Sequence, residues 1–357
     1  MGQKIHADIE KKSLIEKDPI IVNALLDTYV KCGSFDTAKD VFNKLLIQEV
    51  VSWTTLVSGY VEHGHYNQAL HLFEQIQKEG SNRDTATLVW ALKACASLND
   101  AFRGQEIHAE VYRKCLENDA SLGNSLVGMY AKCGLLEEAE EVFDMLSVPS
   151  VISWTALMSG YMEHGHPEQA LRCFEQMQLN DISLDASALV CSLRACSTVG
   201  TVGKGHEMHT IIIKAGFLKG DIIIGNTLID MYVKFGLLAE AQDVLDKLPI
   251  QSIVAWTALI TGYSERGHFE EAFSCFQEMQ LGGLLPDVVL WSIIMTGCAE
   301  QGKSDEISIL LTKMQDQGLS PSSAIYLAIM KAYSNVAALD SLRKVHAQIP
   351  NVGLENE

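Results

Sequence analysis

Three stretches of the chain repeat one another closely: VVSWTTLVSGYVEHGHYNQALHLFEQI from Val50, VISWTALMSGYMEHGHPEQALRCFEQM from Val151 and IVAWTALITGYSERGHFEEAFSCFQEM from Ile253. Their marker tryptophans, Trp53, Trp154 and Trp256, stand 101 and 102 residues apart. A fixed period implies stacked units, each burying its apolar face against its neighbours instead of around one enclosed core. Function in such an array is expected at equivalent positions along an extended face, not in a pocket.

Each period divides into three repeats. Short repeats share the pattern NxLxxxYxKxG and run over 19–49, 120–150 and 222–252. The Trp repeats cover 50–84, 151–185 and 253–287, and a further one, 288–322, has Trp291 in the marker position. Long repeats, carrying LKACAS or LRACST, cover 85–119 and 186–221. Residues 1–18 match the second half of a long repeat, and 323–357 begin another, so both ends are expected to be partial repeats.

Every repeat reads as two helices. In the repeat from Val151, Trp154, Leu157, Met158 and Tyr161 fall at i, i+3, i+4 and i+7, one apolar face. Gly165 interrupts that helix, and Pro167 suits the first turn of a second, where its missing N–H costs nothing. Ala170, Phe174 and Met177 line the second helix. No segment of strand periodicity stands out, so the expected fold is all-α, a solenoid of about nineteen or twenty helices.

Composition narrows the function. There are 27 Lys+Arg against 45 Asp+Glu, a net charge of −18, which opposes non-specific binding to nucleic acid. No apolar run is long enough to span a bilayer, so no membrane partner is expected. Acidic residues in the first twenty positions make a poor targeting segment. The nine cysteines contain no CxxC pair. Their recurrence at repeat positions (Cys32 with Cys133, Cys95 with Cys196) reads as buried packing in a reducing compartment. No metal or cofactor is expected.

The stretches NSLVGMYAKCGLLEEAEEVFDML (Asn124–Leu146) and LVWALKACASLNDAFRGQEIHAEV (Leu88–Val111) resemble the pentatricopeptide repeat family, in its plant-type class that alternates standard, long and short repeats. The resemblance covers nearly the whole chain. It implies a right-handed superhelix that binds single-stranded RNA at about one base per repeat, without catalysis, in mitochondria or chloroplasts. It further implies an adaptor role in editing-site recognition, processing or transcript stability, with any editing or processing enzyme supplied in trans.

In that family the fifth and last residues of a repeat touch the base edge. Carried onto this chain, the Trp repeats pair Thr54 with Asp84, Thr155 with Asp185 and Thr257 with Asp287, which resembles a guanine reader. The carboxylate suits guanine's N–H donors. Asn124 with Ser150 and Asn226 with Ser252 resemble cytosine readers. Asn23 is followed by Glu49, which departs from the usual pairs, and Ser292 with Ser322 is ambiguous. Val89 and Val190 in the long repeats cannot hydrogen-bond and read as spacers. From Val50 to Asp287 the implied sequence is G-N-C-G-N-C-G.

The resemblance also places apolar second-position residues, Val51, Ile152, Ile223 and Val254, against the bases, while Ser121 departs from that pattern. It puts Lys31, Lys132 and Lys234 near phosphates. Glu62, Glu163, Glu265 and Glu300 stand at the lysine position elsewhere, which supports a rival reading: a scaffold holding a protein partner on an acidic concave face.

Other readings of single motifs are structural. Asp84, Asp185 and Asp287 each precede a helix and suit N-capping. His63-Gly64-His65 and His164-Gly165-His166 look like metal pairs, but the third copy has Arg266 in the first position. His108-Ala109-Glu110 resembles half of a zinc deaminase signature, whose other half, P-C-x-x-C, is absent from the sequence.

Overall fold

The computed structural model describes residues 19–45, 49–78 and 84–336. The expected partial repeat at 1–18, and the tail of the one beginning at 323, lie outside the described residues. The chain divides into two compact lobes, with the division at Cys191/Ser192.

The first lobe holds ten complete helices: α1 (Pro19–Lys31), α2 (Phe35–Asn43), α3 (Val50–Glu62), α4 (Tyr66–Lys78), α5 (Thr85–Leu98), α6 (Ala101–Arg113), α7 (Ala120–Lys132), α8 (Leu136–Met145), α9 (Val151–Glu163) and α10 (Pro167–Leu179). Helix α11 (Ala186–Val199) crosses the division. The second lobe continues with α12 (Val202–Ala215), a 3-10 turn at Phe217–Lys219, α13 (Ile222–Phe235), α14 (Leu238–Lys247), α15 (Ile253–Glu265), α16 (Phe269–Leu281), α17 (Val288–Glu300), α18 (Ser304–Asp316) and α19 (Ser323–Val336). Among the described residues there is no strand.

The helices work in pairs. Within the first lobe, α1, α3, α5, α7 and α9 pack successively on one another, and each packs on the second helix of its own repeat. The same pattern runs through α13, α15, α17 and α19 in the second lobe. This is the helix-pair solenoid that the period requires.

Tryptophan joins successive repeats. Trp53 packs edge-on against Phe42 at 4.4 Å between centroids, Trp154 against Phe143 at 4.5 Å and Trp291 against Phe276 at 5.1 Å. In each case the phenylalanine belongs to the second helix of the preceding repeat. Edge-to-face pairs contribute about 0.5–1.5 kcal/mol beyond the area they bury. These contacts make the marker tryptophan an inter-repeat wedge.

First helices stack closely because the tenth residue of the Trp repeats is glycine. A Cβ at Gly160 would stand 2.6 Å from the Ala131 Cβ and 3.0 Å from that residue's Cα and carbonyl oxygen. A Cβ at Gly262 would stand 2.6 Å from a Val233 methyl. Helix ends are set by caps. Asp84, Asp119, Asp221 and Asp287 each accept a hydrogen bond from a backbone N–H of the first turn that follows, and Ser150 forms a capping box with Ser153.

Candidate nucleic-acid interface

Second, fifth and thirteenth residues of a first helix lie on one side of it, since steps of three and eight residues nearly complete whole turns. In α3 these are Val51, Thr54 and Glu62; in α9 they are Ile152, Thr155 and Glu163. The last residue of each repeat joins them as the N-cap of the next first helix. Candidate readers, apolar second positions and terminal charges therefore share the ridge formed by the first helices within each lobe.

The apolar second positions are exposed, against the usual logic of burial. Val51, Ile152, Ile223 and Val254 are each 57–65% accessible. Ile20 and Val289 occupy the same position and are exposed as well. Sequence reasoning passed over those two, although counting to the second residue of their repeats identifies them.

The fifth- and last-position pairs divide by type. Ser150 Oγ donates to Asn124 Oδ1 at 3.2 Å, and Ser252 Oγ to Asn226 Oδ1 at 2.8 Å. Serine at the last position thus touches asparagine at the fifth. Asn23 also receives a hydroxyl, but from Ser52 at 2.6 Å, while Glu49 makes no side-chain cap bond. Thr54 Oγ1 donates to Asp84 Oδ1 at 3.3 Å, and Thr87 joins them at 2.5 Å from the carboxylate and 2.7 Å from Thr54. Thr155 and Thr257 direct their hydroxyls to the carbonyls of Val151 and Ile253, at 2.8 and 2.7 Å. Ser292 is half-buried on α17, and Ser322 caps α19 through Ile325 N at 3.4 Å.

All three aspartates are N-caps. Thr87, Ala188 and Leu290 donate their backbone N–H to Asp84, Asp185 and Asp287 at 2.8, 2.8 and 2.9 Å. Only Oδ1 is used in each cap. A carboxylate has about four acceptor positions on two oxygens, so capping does not exhaust it.

Several of the terminal charges are partnered. Lys31 pairs with Asp27 and Lys234 with Asp230, both at 2.8 Å along their own helices. Lys132 reaches across to Glu163 of the following repeat at 2.8 Å, and Lys331 reaches Glu300 at 3.5 Å. The hydrogen bond and charge of Asp27 hold the Lys31 ammonium above its ordinary pKa, with a smaller contribution from Glu62.

The histidines of the motifs singled out above make structural contacts. His164 Nε2 donates to the Lys132 carbonyl at 3.2 Å, and Arg266 Nη2 donates to the Val233 carbonyl at 2.8 Å. Both satisfy a carbonyl at the end of the preceding first helix, so arginine replaces histidine there. His108 Nδ1 lies 2.9 Å from the Tyr130 hydroxyl, and His209 Nδ1 lies 2.8 Å from that of Tyr232. Burial lowers both imidazole pKa values. Glu110, the acid of the deaminase-like triplet, is buried and pairs with Lys114 at 3.3 Å. Burial pushes the thiols of Cys95, Cys173, Cys275 and Cys298 up to about 12. Among the described residues no cluster of three or more His, Cys, Asp or Glu is placed to hold a metal ion. Nor, among them, is any helix long and apolar enough to cross a membrane.

Fold and ridge together define a helix-pair repeat protein with equivalent polar and apolar positions on its first helices. A PPR repeat family model matches residues 48–97, 149–197 and 251–300, and a PPR repeat model matches 20–48, 124–147, 226–250 and 289–319. The chain belongs to the pentatricopeptide repeat family.

Among its relatives is "Pentatricopeptide repeat-containing protein At4g39530" of Arabidopsis thaliana, 34% identical over 289 residues, spanning 80% of this chain and 34% of that protein. "Pentatricopeptide repeat-containing protein At3g24000, mitochondrial", from the same plant, is 33% identical over 80% of this chain and 45% of its own length. "Pentatricopeptide repeat-containing protein At1g15510, chloroplastic", also from Arabidopsis thaliana, is 31% identical over 78% of this chain and 32% of its own length. The chain thus spans about a third to under half of these relatives. The crystal structure of the maize pentatricopeptide repeat protein PPR10 aligns over 98% of this chain and 66% of that one, at 18% identity and a TM-score of 0.45. The same protein in complex with an 18-nt psaJ RNA element aligns over 93% and 59%, at 17% identity and 0.46.

Proposed function

We propose that this chain binds single-stranded RNA along the ridge of its first helices, at about one base per repeat, as a non-catalytic adaptor of organellar RNA metabolism. The observation that carries the reading is the triad of exposed aliphatic second residue, polar fifth residue and capping last residue in the repeats from Val50, Val151, Ile222 and Ile253. Exposed Val51, Ile152, Ile223 and Val254 offer flat apolar contact to base faces. The polar pairs beside them offer hydrogen bonds to base edges. Thr54/Asp84, Thr155/Asp185 and Thr257/Asp287 select guanine; Asn124/Ser150 and Asn226/Ser252 select cytosine. Lys31, Lys132 and Lys234 meet phosphates by exchanging their exposed acid partners, since such ion pairs contribute only about 0–1 kcal/mol. Relatives named as mitochondrial and chloroplastic support a mitochondrial or chloroplast setting, where an editing or processing enzyme acts in trans.

The scaffold reading rests on the acids at the thirteenth position. Pairing of Glu163 with Lys132 and of Glu300 with Lys331 reduces the exposed negative charge on which it depends.

The test is fluorescence anisotropy with labelled GACGACG and with an RNA whose G and C positions are exchanged. The first is expected to bind more tightly. Asp185→Asn keeps the cap, because asparagine caps as well as aspartate. It also presents a donor beside its acceptor, which moves preference at that base from guanine toward adenine. Equal binding of both RNAs by folded protein, or no binding, refutes the reading.

A further inference from the structure

Three of the buried polar residues share one position. Ser52, Thr87 and Ser153 are 2%, 1% and 0% accessible, and each is the third residue of a first helix (α3, α5 and α9). A buried hydroxyl is costly unless it is hydrogen-bonded, and all three direct theirs at the reader or cap of the preceding repeat. Ser52 bonds Asn23, Thr87 bonds Asp84, and Ser153 Oγ accepts from Ser150 N at 2.9 Å. The third residue is not a constant of the repeat: Leu122, Ile224, Ala255 and Leu290 stand there in α7, α13, α15 and α17.

The Pro19–Glu49 repeat is where this matters most. Its fifth residue is asparagine, as in the repeats starting at Ala120 and Ile222, but its last residue is Glu49 instead of serine. In those two repeats the last-position serine donates to the asparagine Oδ1. At Asn23 the same oxygen receives the Ser52 hydroxyl at 2.6 Å. The amide is polarised the same way in all three: its oxygen is occupied by a hydroxyl and its two N–H donors remain for a ligand.

We propose that Ser52 is a specificity-determining residue of the Pro19–Glu49 repeat, standing in for the serine missing at position 49, so that this repeat selects the same base as the Asn124 and Asn226 repeats. The inference rests on the base-per-repeat reading above. It adds a third determinant, contributed by the following repeat, to the fifth and last residues. Ser52 acts on the base through Asn23 and is a positioning residue.

The experiment compares four RNAs of sequence XGACGACG, where X is each base in turn and faces the Pro19–Glu49 repeat. The wild-type chain is expected to favour cytosine at X. Ser52→Ala is expected to remove that preference by roughly three- to ten-fold, the range for one intramolecular hydrogen bond. It leaves discrimination at the Asn124 base unchanged. Ser52→Ala with Glu49→Ser restores the arrangement of the other two repeats and is expected to restore the preference, which a merely structural role for Ser52 does not predict. Discrimination at the Asn124 base with no cytosine preference at X overturns the inference alone, as does Ser52→Ala retaining the preference. Loss of discrimination at every position in the wild type overturns the base-per-repeat reading, and this inference with it.

Discussion

Gly160 and Gly128 are both helical glycines in the first lobe, and replacing each by alanine is expected to shift stability in opposite directions. In mid-helix, alanine is favoured over glycine by about 0.5–1 kcal/mol, because glycine loses more backbone entropy on folding. At Gly128 that gain stands alone: the nearest atom to an added Cβ is the Ala156 Cβ, at 3.8 Å, an ordinary contact. At Gly160 the added Cβ meets Ala131 at 2.6 Å, and meets its Cα and carbonyl oxygen at 3.0 Å. Backbone cannot rotate away as a side chain can, so α7 and α9 must separate. Overpacking of this kind costs about 1–3 kcal/mol, with the upper part of that range apt here. After the propensity gain, Gly160→Ala is expected to destabilise by about 2 kcal/mol, and Gly128→Ala to stabilise by about 0.5–1 kcal/mol. Repeat arrays need not unfold in one step. Hydrogen exchange of α7 and α9 therefore measures the effect more directly than a single midpoint. A Gly160→Ala chain with unchanged or increased protection in those helices refutes the close-stacking account.

Three further outcomes follow from the charges. Burial lowers the pKa of His108 and His209 below the ordinary 6.5, so the unfolded chain binds more protons at mildly acid pH. Their contribution to stability is fully present above about 6.5 and is lost as pH falls through the lowered folded values. His108→Gln and His209→Gln together are expected to flatten the loss of melting temperature between pH 7 and 5; an unchanged slope counts against the linkage. At the ridge, Lys132→Gln is expected to weaken RNA binding and reduce the log–log salt slope by about 0.7, the value for one contact to a single strand. Glu163→Gln releases Lys132 and is expected to tighten binding by roughly two- to five-fold; tighter binding by Lys132→Gln contradicts the placement.

What could be read from the chain alone was whatever repeats. The period gave the helix pairs, and the aspartates before each helix marked caps that α5, α11 and α17 use. The role of Arg266 was half legible. Its substitution for histidine argued against a metal ligand at that position, but only the stacked helices show that both side chains reach a carbonyl of the preceding repeat. Ser52 was not legible. Nothing in its own repeat distinguishes a buried serine from any other, and its partner Asn23 lies 29 residues earlier. Contacts of that kind depend on the rotation of one first helix against the next, which packing decides and local pattern does not record.

The net charge of −18 was the strongest sequence argument against an anionic ligand, and the structure shows why a sum is a poor guide. What a polyanion meets is the potential at the ridge, and charges separated by more than about 8 Å are largely screened at physiological salt. Acids on the second helices, such as the Asp243 that pairs with Lys247, enter the sum but lie on helices other than those carrying the readers. On the ridge itself, short repeats end their first helix in lysine and Trp repeats in glutamate, so Lys132 and Glu163 meet as a pair. Where such a pair forms, the ridge is close to neutral locally, which leaves little electrostatic attraction and little repulsion there. Binding on it must draw on aliphatic contact with base faces and on hydrogen bonds to base edges. Those terms depend on base identity, whereas phosphate attraction does not. A locally neutral stretch therefore lowers sequence-independent affinity more than sequence-dependent affinity, as the proposed base reading requires.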